Sequence, residues 1–146
     1  MGTTLRPPIV LVKIKETYAA WFKTLANFPK IHRYNLGGKI ENLFLSLMES
    51  IFTAAYLSGE RKQTQLSAAI ARLDNLKFFL QLAWENKCLA NSNYTGLSSQ
   101  LEEIGRMLGG WKKGLEMKTP AQSAGEKQRI AGENPVVGVP LVRILD

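Results

Sequence analysis

The chain has 146 residues, 45% of them hydrophobic, which is enough for one domain with a real core. Its 19 Lys and Arg against 12 Asp and Glu give a net charge of +7. This composition excludes a disordered tail and favours nucleic acid, an anionic membrane surface or an acidic protein as partner. A single cysteine, Cys88, excludes an intramolecular disulfide and points to a reducing compartment, the cytoplasm. No apolar run approaches the ~20 residues of a membrane span, and MGTTLRPPIV lacks the longer apolar core of a secretory signal.

Residues 1–8 form an N-terminal extension ending in Pro7-Pro8, which discourages helix before residue 9. A first helix is predicted from Ile9 to about Asn27, with Leu11, Ile14, Tyr18, Trp21, Phe22 and Leu25 as its stripe. Pro29 ends it. The connection FPKIHRYNL, 28–36, sets Lys30, His32 and Arg33 among Phe28, Ile31 and Tyr34. Cations interleaved with aromatics can hold a nucleic-acid backbone and stack a base. For the aromatics alone the plainer reading is favoured, that Phe28 and Tyr34 plug the end of a bundle.

The second helix spans about Leu36 to Leu57, with Asn35 as its N-cap. Leu36, Ile40, Leu43, Leu47, Ile51 and Ala54 form one stripe, and Phe44, Met48, Phe52 and Ala55 form another beside it. That face is wider than a peripheral helix of a monomeric bundle needs. The surplus assigns Phe44, Met48 and Phe52 to an oligomer interface. Ser58-Gly59 breaks the helix, and Gly59 suits a C-terminal cap.

The third helix, about Glu60 to Lys87, has the stripe Leu66, Ile70, Leu73, Leu76, Leu80 and Trp84. Arg61 and Arg72 fall on one face of it, and Asp74 with Lys77 is an expected i,i+3 pair. ANSN, 90–93, supplies capping residues for a fourth helix. Its apolar residues Tyr94, Leu97, Leu101, Ile104, Leu108, Trp111 and Leu115 alternate at spacings of 3 and 4, a heptad seam that aligns it with its neighbours. Gly105, Gly109 and Gly110 interrupt it, each costing roughly 1 kcal/mol relative to alanine. Close helix packing explains them, and so does the approach of a partner's backbone or a phosphate beside Arg106, Lys112 and Lys113. Glu102 is expected to pair with Arg106. Residues 119–134 change composition and read as a linker, and the apolar tail PVVGVPLVRILD follows.

Catalytic chemistry is not signalled. The one histidine, His32, lies 56 positions from Cys88, with no third group to orient a nucleophilic pair. Metal sites need clustered His, Cys or carboxylates. Neither Gly37-Gly38 nor Gly109-Gly110 is followed by the Gly-Lys-Ser/Thr of a phosphate loop. No cofactor or metal is expected, and the predicted class is a non-enzymatic all-α protein.

FPK…R-Y-x-L-G-G-K-I at Phe28–Ile40, D-x-L-K-F at Asp74–Phe78 and E-I-G-R-M-L-G-G-W-K-K at Glu103–Lys113 resemble the accessory variability determinant of diversity-generating retroelements. The similarity spans about residues 10–117. The related rRNA intervening-sequence proteins share the four-helix plan and the Leu-Gly opening the second helix, and an RNA-binding protein of that kind is the alternative. The resemblance implies an antiparallel four-helix bundle protomer over residues 9–118, assembled as a homopentameric barrel. It also implies binding to the element's reverse transcriptase and its template RNA or cDNA, in support of mutagenic retrohoming, with no membrane partner. On that reading Lys30, Arg33, Lys39, Arg61, Arg72, Arg106, Lys112 and Lys113 are the candidate contacts for nucleic acid and polymerase, and about half of them are expected to matter.

Overall fold

A computed structural model describes residues 8–118, and no strand occurs among them. The N-terminal extension up to residue 7, the linker and the apolar tail lie outside the described residues. Five helices follow in order: α1 (Ile9–Leu25), α2 (Lys30–Arg33), α3 (Leu36–Ala55), α4 (Gly59–Glu85) and α5 (Asn91–Lys118). One compact unit ends at Lys112 and a second begins at Lys113, so the last described turn of α5 belongs to the second.

The long helices run antiparallel around a common core. On α3 and α4, Ser50 meets Arg72 near the connecting turn and Lys39 meets Phe79 farther from it. On α4 and α5, Trp84 stacks on Tyr94 near the turn, followed by Lys77 with Glu102 and then Lys62 with Trp111. Lys13 of α1 pairs with Glu103 of α5, while Tyr18 and Trp21 face Phe44 of α3. The order is that of an up-down-up-down bundle, the arrangement short connections favour.

Helix ends follow local chemistry. Pro8 occupies the N-cap of α1 with φ −59°, and its carbonyl accepts from the Leu11 N–H at 2.9 Å. Asn35 stands at the N-cap of α3 as predicted, but its side chain makes no capping bond; its carbonyl accepts from the Lys39 N–H instead. Gly59 does adopt a left-handed φ of +59°, yet it opens α4 rather than closing α3, which ends with Tyr56 at the C-cap. The unforeseen left-handed residue is Lys87, φ +62°. Around it the Cys88 N–H donates to the Ala83 carbonyl and the Lys87 N–H to that of Trp84, the paired bonds that usually terminate a helix at glycine.

The predicted stripes of α3 and α5 form the core, with Ile40, Leu47, Ile51, Leu101, Ile104 and Leu108 fully buried. Two expectations change. Phe22 of α1 is exposed, and Thr17 and Thr24 take buried positions instead. Each threonine hydroxyl donates to a carbonyl one turn earlier, Lys13 at 2.9 Å and Ala20 at 3.0 Å, so a satisfied side chain presents its methyl to the core. Phe44 is the second: it is fully buried within the protomer, 5.9 Å from Trp21 in a stacked pair and edge-on to Tyr18. It is a core residue and not an interface residue, because the second stripe of α3 begins inside the bundle and emerges only toward its C-terminal half.

Gly105 is a point of close packing, since a Cβ there would stand 3.3 Å from Leu73 Cδ2. Gly109 and Gly110 face open space. Close packing therefore explains one of the three glycines.

Candidate functional site

The candidate cations do not form one patch. Lys30, Arg33 and Lys39 gather where α2 covers one end of the bundle, and Arg61 lies at the far end of α4. Arg72 sits midway along the α3–α4 pair and Arg106 on the exposed side of α5. Lys112 is half-buried, and Lys113 is an exposed residue of the second unit.

Several of these cations also serve the fold. Arg33 Nη2 donates to the Ala26 carbonyl at 3.1 Å and more weakly to the Phe28 carbonyl at 3.4 Å, tying α2 to the C-terminal end of α1. Its Nε is buried and finds no acceptor. Arg72 Nη1 donates to the buried Ser50 hydroxyl at 3.2 Å. Lys39 Nζ lies 5.5 Å from the centre of the Phe79 ring, a cation–π contact that leaves the ammonium hydrated on its outer side. Lys30, Arg61 and Arg106 are exposed. Two expected ion pairs give way to one longer-range pair: Lys77 meets Glu102 at 3.2 Å, so Lys77 turns from Asp74 and Glu102 from Arg106. Both charges reach across the α4–α5 contact because the helices approach closely at Gly105.

The segment that forms the α2 end carries cations and no carboxylate. From Thr17 to Ile40 there is no Asp or Glu, while Lys23, Lys30, Arg33 and Lys39 all fall within it. Phe28 plugs the bundle as predicted, 2% exposed against Trp21, whereas Tyr34 is 87% exposed and plugs nothing. His32 is exposed. Beside α2 opens a polar pocket of about 820 Å³ bounded by Asn27, Pro29, Trp84, Asn91 and Asn93. Cys88 also lines it, but that thiol is almost fully buried and burial pushes its pKa up, away from a reactive thiolate. Among the described residues no group of three or more His, Cys, Asp and Glu is placed to hold a metal ion.

A second feature is apolar. The N-terminal half of α1 and the C-terminal half of α3 enclose a groove of about 560 Å³ lined by Leu11, Val12, Leu45, Met48, Phe52 and Tyr56. Phe52 is 51% exposed and packs edge-on against Tyr56 at 5.0 Å. Lys15 and Glu49 also border the groove. An apolar cleft with a charged border is the usual form of a protein contact surface. Met48 and Phe52, two of the three residues assigned to an interface from the sequence, line this groove.

One site escaped sequence reasoning. Trp21 Nε1 donates to Glu41 Oε1 at 2.8 Å, and the Tyr18 hydroxyl donates to the other carboxylate oxygen. This clasp joins α1 to α3. The hydrogen bond to Glu41, helped by burial and by the carboxylate charge, pushes the Tyr18 pKa up to about 12. A phenol held neutral in this way is a structural donor and not an acid–base catalyst.

No helix of the described residues is long and apolar enough to cross a membrane. No curated protein matches the chain. The model of the bAvd-like family matches residues 9–115.

Proposed function

The chain belongs to the bAvd-like family, and from that membership we propose that it is a non-enzymatic accessory protein of a diversity-generating retroelement. It binds the element's reverse transcriptase and the template RNA or cDNA, and so supports mutagenic retrohoming in the cytoplasm. The family match over residues 9–115 carries this reading. The net charge of +7 and the exposed cations Lys30, Lys39, Arg61, Arg106 and Lys113 support it, since phosphate contacts account for most sequence-independent affinity. Arg33 and Arg72, which bond within the protein, contribute chiefly by holding the surface in place.

The assembly proposed is a homo-oligomer, a pentamer by resemblance. The groove around Met48 and Phe52 supports burial against a second copy, because it leaves large apolar side chains in water in the protomer. Repeating a modest basic surface around a ring multiplies the field that a polyanion meets. A protein that reads charge in this way has weak sequence preference, and RNA choice falls to the RNA's own fold and to the polymerase.

The test uses the full chain with Lys39, Arg61 and Arg106 changed together to Glu. RNA binding should fall at least tenfold, and the slope of log K against log salt should lose about 0.7 for each single-strand phosphate contact removed. Wild-type affinity and slope in a variant that keeps its helical content and assembly would overturn the assignment of these cations.

A further inference from the structure

We propose that the α2 end of the bundle is a binding site for single-stranded nucleic acid, in which the Tyr34 ring stacks on a base and Asn27 and Asn93 hydrogen-bond the adjoining nucleotide. The inference rests on the reading that the chain binds template RNA or cDNA, and it specifies where and by what contact a single strand is held.

Tyr34 is the first observation. Of the four tyrosines, Tyr18, Tyr56 and Tyr94 each pack against another ring. Tyr34 instead is 87% exposed, at the C-cap of a four-residue helix. Its support is firm despite that exposure. The neighbouring Arg33 guanidinium bonds the carbonyls of Ala26 and Phe28, and the Phe28 ring is itself buried against Trp21. A ring displayed on a fixed turn loses little freedom when a base stacks on it.

Charge and hydrogen-bonding capacity are the second and third. The segment around Tyr34 carries four cations and no carboxylate between Thr17 and Ile40, so a phosphate backbone approaching it meets no repulsion from that segment. The adjacent pocket, about 820 Å³, is lined by Asn27, Asn91 and Asn93. Asn91 accepts from the Trp84 indole at 2.7 Å and so belongs to the fold, while Asn27 and Asn93 are exposed. An amide both donates and accepts, which suits base edges and sugar hydroxyls alike. Lys87 and Glu85 also line the pocket and leave it near neutral, so the phosphates belong on the α2 side. Pro29 lines the pocket and also caps α2, so only this four-residue helix, about 6 Å long at 1.5 Å per residue, separates pocket from ring. A duplex has no free base face for the ring, which makes a single strand the ligand.

The experiment measures binding of a labelled, mixed-sequence single-stranded RNA of about 20 nucleotides and of a duplex of equal length by fluorescence anisotropy. Wild type, Tyr34→Ala and Tyr34→Phe are compared, with helical content checked by circular dichroism. Tyr34→Ala should weaken single-strand binding by about 5- to 150-fold, the range that loss of one base stack gives. Tyr34→Phe should stay within about threefold of wild type, since the ring face is kept. The salt slope should not change, because no charge is removed. Equal affinity of wild type and Tyr34→Ala for the single strand would overturn the proposal, as would an equal loss on the duplex. Loss of polymerase binding with RNA binding intact would also overturn it, and would assign this end to the protein partner. Wild-type protein that binds neither nucleic acid would defeat the accessory reading itself, and this inference with it.

Discussion

Glu41 receives two aromatic donors from α1, and this clasp decides how α1 is rotated against α3. Glu41 lies twenty or more positions from both Tyr18 and Trp21 in the chain, so no spacing rule brings it to them. Side chains that meet only through the tertiary fold leave no periodic mark, and the same is true of the Arg33 bonds that pin α2. Thr17 and Thr24 were hidden differently, because hydroxyls bonded to the preceding turn behave as apolar groups that composition counts as polar. At neutral pH Tyr18→Phe should cost about 1 kcal/mol, the worth of one partly exposed hydrogen bond to a charged acceptor. Below pH 10 Tyr18 keeps its proton in folded and unfolded chains alike, and the bond contributes in full. Between pH 10 and about 12 the unfolded chain releases a proton that the folded chain still holds, so stability falls as pH rises through that window. Urea unfolding of both proteins from pH 8 to 11 should show the wild type converging on Tyr18→Phe from above pH 10. A constant difference across the series would mean the phenol is not held by Glu41.

Among the elements, the four long helices were legible because each carries an apolar stripe over at least four turns. The helix α2 was not, since four residues contain barely one period and read as a connection. Adjacency of two stripes on α3 signalled surplus apolar surface but could not say which residues of the second stripe stay inside; Phe44 does, while Phe52 does not. The glycines of α5 divide in the same way. Gly105 lets α4 and α5 close on the Leu73 side chain, while Gly109 and Gly110 touch nothing that a methyl group would displace. Gly109→Ala and Gly110→Ala should therefore each raise protomer stability by up to about 1 kcal/mol through helix propensity. Gly105→Ala should gain less or lose stability, because Leu73 must shift by a few tenths of an ångström to admit the methyl. Thermal melts check the order. If Gly109→Ala is the most destabilising of the three, α5 packs differently around that turn.

At the scale of the molecule, net charge announced a polyanionic partner, but charge in a sequence has no position. Within the first unit the fold distributes the seven candidate cations from Lys30 to Lys112 over both ends and the middle, and gives two of the arginines hydrogen bonds within it. What it concentrates is of two kinds: a basic end around α2, and an apolar groove between α1 and α3 that carries Met48 and Phe52. Separate surfaces allow self-association and nucleic-acid binding at once, and the accessory reading requires both together with the polymerase. The most direct measurement is co-expression of the full chain with the reverse transcriptase of its own element, followed by affinity capture of the enzyme and multi-angle light scattering of the purified accessory protein. The wild type should be captured with the enzyme and elute as a discrete oligomer of about five copies, while Phe52→Asp should be captured weakly and elute as a smaller species. A wild type that is monomeric at micromolar concentration, or an oligomer that the enzyme does not retain at low salt, would contradict the account.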